Sequence, residues 1–143
     1  MTVVIKRVYE PVSPRDGTRV LVDRLWPRGL TKATAALDEW LRDLAPSDEL
    51  RRWYHARPGE WANFRKKYLK ELSHPKAESA LRRLYQFGNK RKRLTLLFAS
   101  KNETRNNAVV LKDLLDGTRK PPTGTGPGGA SAVRQRAVAV RRR

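Results

Sequence analysis

Short runs of β-branched and aliphatic residues alternate along the chain with longer segments of helical periodicity. Residues 3–5 with Val8, and residues 19–22, are apolar runs too short for helices, and they predict two strands. Residues 93–99 form an almost continuous apolar run, which is typical of a strand buried on both faces of a sheet. The pattern therefore predicts three buried strands.

Apolar positions three and four residues apart predict helices over about 34–44, 58–72 and 75–88, between the second and third strands, and a final helix over about 103–115. Pro58 and Pro75 suit first helical positions, and Ser47 suits the N-cap of a short helix ending near His55. Strands separated by helices indicate the α/β class, with a short parallel sheet flanked by helices.

The patterned part of the chain ends near Gly117, which gives a predicted α/β domain over residues 1–117. Residues 118–143 begin with a run rich in proline and glycine and end in a short basic arm. Such a composition buries too little apolar surface to order itself, so we predict a disordered basic tail.

The chain is strongly basic, with 32 Lys and Arg against 14 Asp and Glu and a formal net charge of +18. The tail contributes seven basic residues and no acid, so residues 1–117 still carry a net +11. A field of this sign attracts polyanions, with nucleic acid and anionic membrane surfaces as the usual candidates, although bulk solubility is the simpler alternative.

Composition excludes several kinds of site. The chain has no cysteine, which removes disulfides, thiolate metal sites and cysteine nucleophiles. Neither His55 nor His74 has a partner at metal-ligand spacing, so we expect no metal and no cofactor. No apolar run approaches the roughly 20 residues of a membrane span, and the N-terminus lacks the layout of a signal peptide. We therefore expect a cytoplasmic protein without a membrane partner.

Polar and cationic residues follow each predicted strand. Ligands of parallel α/β sheets bind outside the carboxyl ends of the strands, and a helix N-terminus favours an anion. The residues at these ends predict an anion-binding pocket: Arg7, Tyr9, Arg24, Trp26, Arg28, Lys101, Asn102 and Asn106. In the competing structural interpretation, Asp23 pairs with Arg24 or Arg7 and Trp26 covers the core as an aromatic plug.

Two clusters of cations are candidates for nucleic-acid contact. They are the run Lys90, Arg91, Lys92 and Arg93, and the terminal Arg141, Arg142 and Arg143. A third run, residues 65–67, is more typical of a solvated helix face. The helical residues Trp40, Trp53 and Trp61 are more typical of core than of base-stacking platforms.

Several of these segments carry a family resemblance. The most specific block is Asp23-Arg-Leu-Trp-Pro-Arg-Gly29, and it is accompanied by Arg7-Val-Tyr9, Leu37-Asp-Glu-Trp-Leu41, Leu44-Ala-Pro-Ser47, Leu94-Thr-Leu-Leu-Phe-Ala99 and Asn106-Asn-Ala-Val-Val-Leu111. Over residues 3–116 the chain resembles the domain of unknown function 488 family, in its YeaO-like branch. The resemblance implies a compact Rossmann-like domain and supplies no mechanism. Related sequences usually carry an acidic-rich turn ending in His-Asn, where this chain has Thr104-Arg105 before Asn106.

Three functions are compatible with these residues. The first is a binding module that holds a phosphate-bearing ligand or nucleic acid at the strand ends, with arginine forks matched to phosphate. The second is an enzyme acting on a nucleotide or nucleic acid, with Asp23 as the catalytic carboxylate. The third is a structural or interaction protein without a pocket. The sequence leaves both the reaction, if there is one, and the oligomeric state open.

Overall fold

The computed structural model describes residues 2–88 and 93–117. The described residues divide into two compact units. The sheet unit comprises residues 2–45, 84–88 and 93–117, and the helical unit comprises residues 46–83. Lys90, Arg91, Lys92 and the predicted tail over 118–143 lie outside the described residues. The prediction of one domain over residues 1–117 stays a prediction.

The sheet unit contains a parallel sheet of four strands within the described residues, in the order β1-β4-β2-β3. The strands are β1 (Val3–Arg7), β2 (Thr18–Leu21), β3 (Glu39–Trp40) and β4 (Leu94–Phe98). Every neighbouring pair runs parallel. The α/β class and the short parallel sheet predicted from the sequence are therefore confirmed.

Strand β4 lies inside the sheet, between β1 and β2, and all five of its residues are buried. This position explains the nearly continuous apolar run, because a strand flanked on both sides and covered on both faces has no solvated positions. Helix α5 (Asn107–Gly117) packs against β1 and β4 and buries Ala108, Val110, Leu111 and Leu115.

The helix predicted over residues 34–44 is wrong. The chain forms a short helix, α1 (Lys32–Ala35), which ends where Ala36 adopts a left-handed φ of 49°. The chain then pairs with β2 as β3, and a 3₁₀ turn covers Arg42–Leu44. The Asp38 N–H donates to the Arg19 carbonyl over 2.8 Å, and the Asp38 carboxylate accepts from the Arg19 N–H over 2.8 Å. Pairing with a neighbouring strand has overridden the local helical pattern.

A buried carboxylate joins the first loop to the sheet. Asp16 pairs with Lys6 over 3.0 Å and with Arg19 over 2.6 Å, and it also accepts from the Ser13 N–H over 3.0 Å. Desolvation of the carboxyl raises its pKa, but the hydrogen bonds from Lys6, Ser13 and Arg19 outweigh that effect and leave the pKa below its usual range.

The helical unit contains α2 (Asp48–Ala56), α3 (Trp61–Glu71) and the first part of α4 (Pro75–Gly88), whose residues from Leu84 belong to the sheet unit. The predicted N-cap is confirmed, since the Ser47 hydroxyl accepts from the Leu50 N–H over 3.1 Å. Helix α3 begins later than predicted, because residues 57–60 form a turn in which the Glu60 N–H donates to the Arg57 carbonyl over 2.9 Å. Pro58 occupies the second position of that turn, where proline is favoured.

No helix among residues 2–88 and 93–117 is long and apolar enough to cross a membrane.

Candidate ligand site at the strand ends

Three strands bring their carboxyl ends together at one edge of the sheet. Arg7 at the end of β1 is in register with Phe98 of β4, and Leu21 of β2 is in register with Leu97. The residues that follow these strands are therefore neighbours, as the sequence pattern predicts for a parallel sheet. Arg7, Asp23 and Ser100 lie at this edge.

The Arg7 side chain is held by main-chain carbonyls of the neighbouring strand end. Its Nε donates to the Ser100 carbonyl over 3.0 Å, and its Nη2 donates to the Ala99 carbonyl over 3.0 Å. The guanidinium carbon also lies 5.1 Å from the centroid of the Tyr9 ring. A guanidinium has five N–H donors, so these two bonds fix its plane and leave other donors at the strand-end edge.

Two further cations are next to residues that contact Arg7. The Tyr9 hydroxyl donates to the main-chain carbonyl of Arg28 over 2.9 Å, and Lys101 directly follows Ser100. Arg28 and Lys101 are exposed, and the described part of the chain offers neither side chain a carboxylate within ion-pair distance. Two solvated cations are therefore adjacent in the chain, or bonded through the main chain, to residues that contact the Arg7 guanidinium.

Asp23 is held by donors that carry no charge. One carboxylate oxygen accepts from the Ala99 N–H over 2.9 Å, and the other accepts from the Asn107 side-chain amide over 3.1 Å. Within the described residues it forms no ion pair with Arg7 or Arg24. Burial raises the pKa of the Asp23 carboxyl, and the bonds from Ala99 and Asn107 only partly offset this effect.

Hydrogen bonds and a ring contact of two tryptophans stabilise the loop after β2. The Trp26 Nε1–H donates to the Leu30 carbonyl over 2.7 Å, and the Trp40 Nε1–H donates to the Asp23 carbonyl over 2.7 Å. The two indole rings meet edge to face with centroids 5.4 Å apart. Arg24 donates to the Ala45 carbonyl over 3.3 Å. Trp26 and Arg24 therefore both contact the protein's own main chain.

The two predicted asparagines shape the start of α5. The Asn102 side-chain oxygen accepts from the N–H groups of Thr104 and Arg105, and the Asn102 carbonyl accepts from the Asn106 amide over 2.8 Å. The Asn106 side-chain oxygen accepts from the Val109 N–H over 3.1 Å, which makes Asn106 an N-cap. This turn explains why α5 begins at Asn107 rather than near residue 103, as predicted.

Asn107 is the residue at this edge that the sequence reasoning missed. Its amide donates both to the Val22 carbonyl over 2.9 Å and to Asp23, so it joins the end of β2 to the start of α5. The paired asparagines just after the third predicted strand were the available signal. The nitrogen of an asparagine amide carries two N–H donors, so Asn107 can bond both acceptors at the same time.

Of the predicted nucleic-acid residues, only Arg93 is described, and its carbonyl accepts from the Thr18 N–H over 2.9 Å. Lys90, Arg91, Lys92, Arg141, Arg142 and Arg143 lie outside the described residues. Across residues 2–88 and 93–117, no three His, Cys, Asp or Glu side chains are grouped so that they could hold a metal ion.

Comparison with known proteins assigns the chain to a family. The model of the family DUF488-N3i, described as "Inactive DUF488-N3 subclade", matches residues 2–127. The uncharacterized protein YeaO of Escherichia coli (strain K12) is 47% identical over 115 residues, which are 80% of this chain and 97% of that protein. The uncharacterized protein Rv3073c of Mycobacterium tuberculosis (strain ATCC 25618 / H37Rv) is 42% identical over 113 residues, which are 79% of this chain and 92% of that protein.

No solved structure shows a significant match to the chain. The family model spans both units and the whole strand-end edge. The chain therefore belongs to the DUF488 family, in its YeaO-like branch and within the subclade described as inactive DUF488-N3.

Proposed function

We propose that this protein is a non-catalytic cytoplasmic module that binds a phosphate-bearing ligand at the carboxyl ends of its strands. The observation that carries the proposal is the fixed guanidinium of Arg7, held by the carbonyls of Ala99 and Ser100 and stacked on Tyr9. A guanidinium fixed before binding loses little side-chain entropy when a phosphate arrives, and its fork matches phosphate oxygens.

The charges around Arg7 support an anionic ligand. Arg28 and Lys101 are exposed cations next to residues that contact Arg7, and neither forms an ion pair with a carboxylate of residues 2–88 or 93–117 that a phosphate would have to break. The nearest acid along the chain is Glu10, whose carboxylate accepts from the Arg7 main-chain N–H over 3.1 Å. Glu10 therefore contacts the Arg7 backbone rather than its guanidinium. The remaining guanidinium donors stay available to a ligand.

Asp23 has a positioning role in this proposal. Both of its oxygens accept hydrogen bonds, and these bonds connect β2 with β4 and with the first residue of α5. A general base needs a lone pair directed at substrate, whereas these contacts direct the carboxylate inward. The raised pKa of Asp23 is the one observation that favours the enzyme alternative. The description of the family subclade as inactive agrees with the positioning role.

Nucleic acid is the larger phosphate-bearing ligand that the charge of the chain favours. The net charge of +18 creates a field that attracts a polyanion over a longer distance than the charges of a single pocket do. In this extension of the proposal, the run Lys90, Arg91, Lys92 and Arg93, which precedes β4, and the terminal Arg141, Arg142 and Arg143 contact phosphates other than the one held at the strand-end site.

The proposal is tested by thermal unfolding of the full chain with a panel of inorganic phosphate, nucleoside monophosphates, sugar phosphates and short oligonucleotides. A ligand at 100 times its dissociation constant stabilises the folded state by about 2.7 kcal/mol, which corresponds to a rise in Tm of roughly 5–15 °C. The double variant Arg28→Gln/Lys101→Gln should lose most of that rise. Both side chains are exposed, so the variant should fold as the original chain does.

The matched control is Arg15→Gln/Lys32→Gln, which removes two exposed cations outside the strand ends. It should keep the ligand-induced rise. The proposal fails if no member of the panel raises Tm, and it also fails if the test variant and the control lose the rise equally. Asp23→Asn should keep the rise, since the proposal gives Asp23 no contact with the ligand.

A further inference from the structure

The helical unit carries a cluster of cations around one tryptophan. Trp53 lies in α2 and is half-buried. The Arg57 guanidinium carbon lies 5.5 Å from the centroid of its ring, and the Lys67 Nζ of α3 lies 5.1 Å from the same centroid. We call Trp53, Arg57, Lys67 and Lys70 the Trp53 surface. Lys70 follows Lys67 by three residues on α3, which makes the two side chains neighbours on the helix.

The described part of the chain gives the cations of this surface no acidic partner. Within the described residues no carboxylate lies within ion-pair distance of Arg57, Lys67 or Lys70. One Arg57 nitrogen donates to the Trp53 carbonyl over 3.4 Å, a weak bond at the end of α2. Arg57 and Lys67 both lie close to one ring, where their like charges repel each other. An anion bound near Trp53 relieves that repulsion.

Charge is concentrated in this unit. Residues 46–83 hold ten basic and five acidic residues, whereas the described residues of the sheet unit hold twelve basic and nine acidic residues. The helical unit thus carries an excess of +5 over 38 residues, and like charges at this density repel one another unless an anion neutralises them. A partner that carries repeated negative charge fits this distribution.

We propose that the Trp53 surface binds single-stranded nucleic acid. Cations that track a backbone, together with an aromatic ring on which a base stacks, are the combination that single-strand-binding proteins use. Phosphates draw Arg57 and Lys67 away from the indole face, and a base takes their place over the ring. Cation–π contacts at solvated sites are weak compared with base stacking, so the exchange is favourable. This site is built from other residues than the strand-end site, and the proposal does not depend on that site.

An anionic membrane is the competing polyanion, and the surface does not fit it. Helices that lie on membranes expose large apolar side chains on the face that enters the lipid. The described exposed large hydrophobic residues are Tyr9, Val12 and Leu25, and all three lie outside the helical unit. Apart from Trp53, the large aromatic residues of the unit pack against one another: Tyr54 and Phe64 are stacked at 4.5 Å, and Trp61 and Tyr68 also contact Phe64.

The test measures anisotropy of a labelled 20-mer of deoxythymidine with the full chain across a range of NaCl concentrations. Arg57→Gln/Lys67→Gln should lower the slope of log K against log salt by about 1.4, because each single-strand phosphate contact contributes about 0.7. The affinity at 0.1 M NaCl should then fall roughly tenfold or more. The control Arg15→Gln/Lys32→Gln removes the same charge elsewhere and should change the slope by less than half as much.

A second variant separates stacking from charge. Trp53→Ala should weaken binding about tenfold with the salt slope unchanged, because stacking releases no counterions. Trp53→Phe keeps an aromatic face and should recover most of the affinity. Circular dichroism melting shows that each variant is folded.

Four results would overturn the proposal. The first is an equal change of slope in the test variant and in the control. The second is a Trp53→Ala variant that binds the single strand as tightly as the original chain. The third is a loss of affinity for a 20-base-pair duplex in Trp53→Ala that equals the loss for the single strand. The fourth is a test variant that loses binding to vesicles of equal phosphatidylglycerol and phosphatidylcholine while it keeps binding to the oligonucleotide. Loss of strand binding in Arg28→Gln/Lys101→Gln alone would support the strand-end site instead.

Discussion

The side-chain amide of Asn107 donates to the Asp23 carboxylate over 3.1 Å and to the Val22 carbonyl over 2.9 Å. The other Asp23 oxygen accepts from the Ala99 N–H over 2.9 Å. A single carboxylate thus connects the ends of β2 and β4 with the first residue of α5. These elements lie far apart in the sequence, so the contacts depend on the complete parallel sheet.

Replacing Asp23 with asparagine tests this connection. The variant Asp23→Asn places an NH₂ group opposite either Ala99 or Asn107, both of which are donors, so one hydrogen bond is lost. We expect a loss of about 1–2 kcal/mol in the free energy of unfolding. Chemical denaturation at pH 7 measures it, with the exposed Asp116→Asn as the control.

The same variant also has a pH signature. Burial raises the pKa of the folded Asp23 carboxyl above its unfolded value, so the folded state takes up this proton first as the pH falls. The stability of the original chain relative to Asp23→Asn should therefore increase as the pH falls from 7 towards 4, and decrease again as the pH rises. Parallel stability curves over this range would contradict the raised pKa.

Asp16 should behave in the opposite way. The pKa of Asp16 is lowered in the folded protein. Its contribution to the free energy of unfolding is therefore fully present above the ordinary aspartate pKa of about 3.9, and it is lost as the pH falls through the pKa of the folded state. Asp16→Asn leaves the buried Arg19 guanidinium and Lys6 without a counter-charge. We expect a loss of about 3 kcal/mol at pH 7 and a fall of about 10 °C in Tm.

Thermal unfolding at pH 7 and at pH 3 measures the Asp16 effect. The difference in Tm between the original chain and Asp16→Asn should shrink at the lower pH, because pH 3 is below the ordinary pKa of aspartate and the unfolded chain then gains a proton on Asp16 that the folded chain resists. A difference that stays constant between the two pH values would mean that shape rather than charge accounts for the loss.

In the helical unit, Glu71 at the end of α3 holds the N-cap of α2. One Glu71 oxygen accepts from the Ser47 N–H over 2.8 Å, and the other accepts from the Ser47 hydroxyl over 2.6 Å. Ser47→Ala should cost about 1 kcal/mol through loss of the cap, and Glu71→Gln should cost a similar amount through loss of a charge-assisted bond.

Because the two residues contact each other, their effects should not add. We expect a coupling energy of at least about 0.5 kcal/mol from the double-mutant cycle, measured by urea denaturation. Additive losses would mean that Ser47 acts on α2 alone. The exposed pair Lys112 and Asp116 in α5 provides a comparison, for which we expect weaker coupling.

Much of the fold follows from local patterns in the sequence. The run from Leu94 to Phe98 has the composition of a fully buried strand, and β4 is buried throughout. The Ser47 cap and the apolar face of α5 could also be predicted, because capping and periodicity depend on neighbours within a few positions. The end of each strand could be predicted from the local pattern as well. Parallel strands then place their carboxyl ends at one edge of the sheet, which locates the strand-end residues together.

Other features depend on contacts between distant segments. Asp38 and Trp40 fit a helix as well as a strand by their spacing, and only pairing with β2 decides between the two. The role of Asn107 depends on Asp23, 84 positions away, and no local pattern encodes that distance.

By itself, the sequence determined the α/β class, the basic character and the edge of the sheet where polar residues collect, because these follow from composition and short-range periodicity. Only the tertiary structure decided that Arg7 is fixed by two carbonyls, that Asp23 is bonded to neutral donors, and that Lys67 and Arg57 both lie close to the Trp53 ring. Long-range packing selects one partner for each polar group from several that its chemistry allows, and that choice is made in three dimensions.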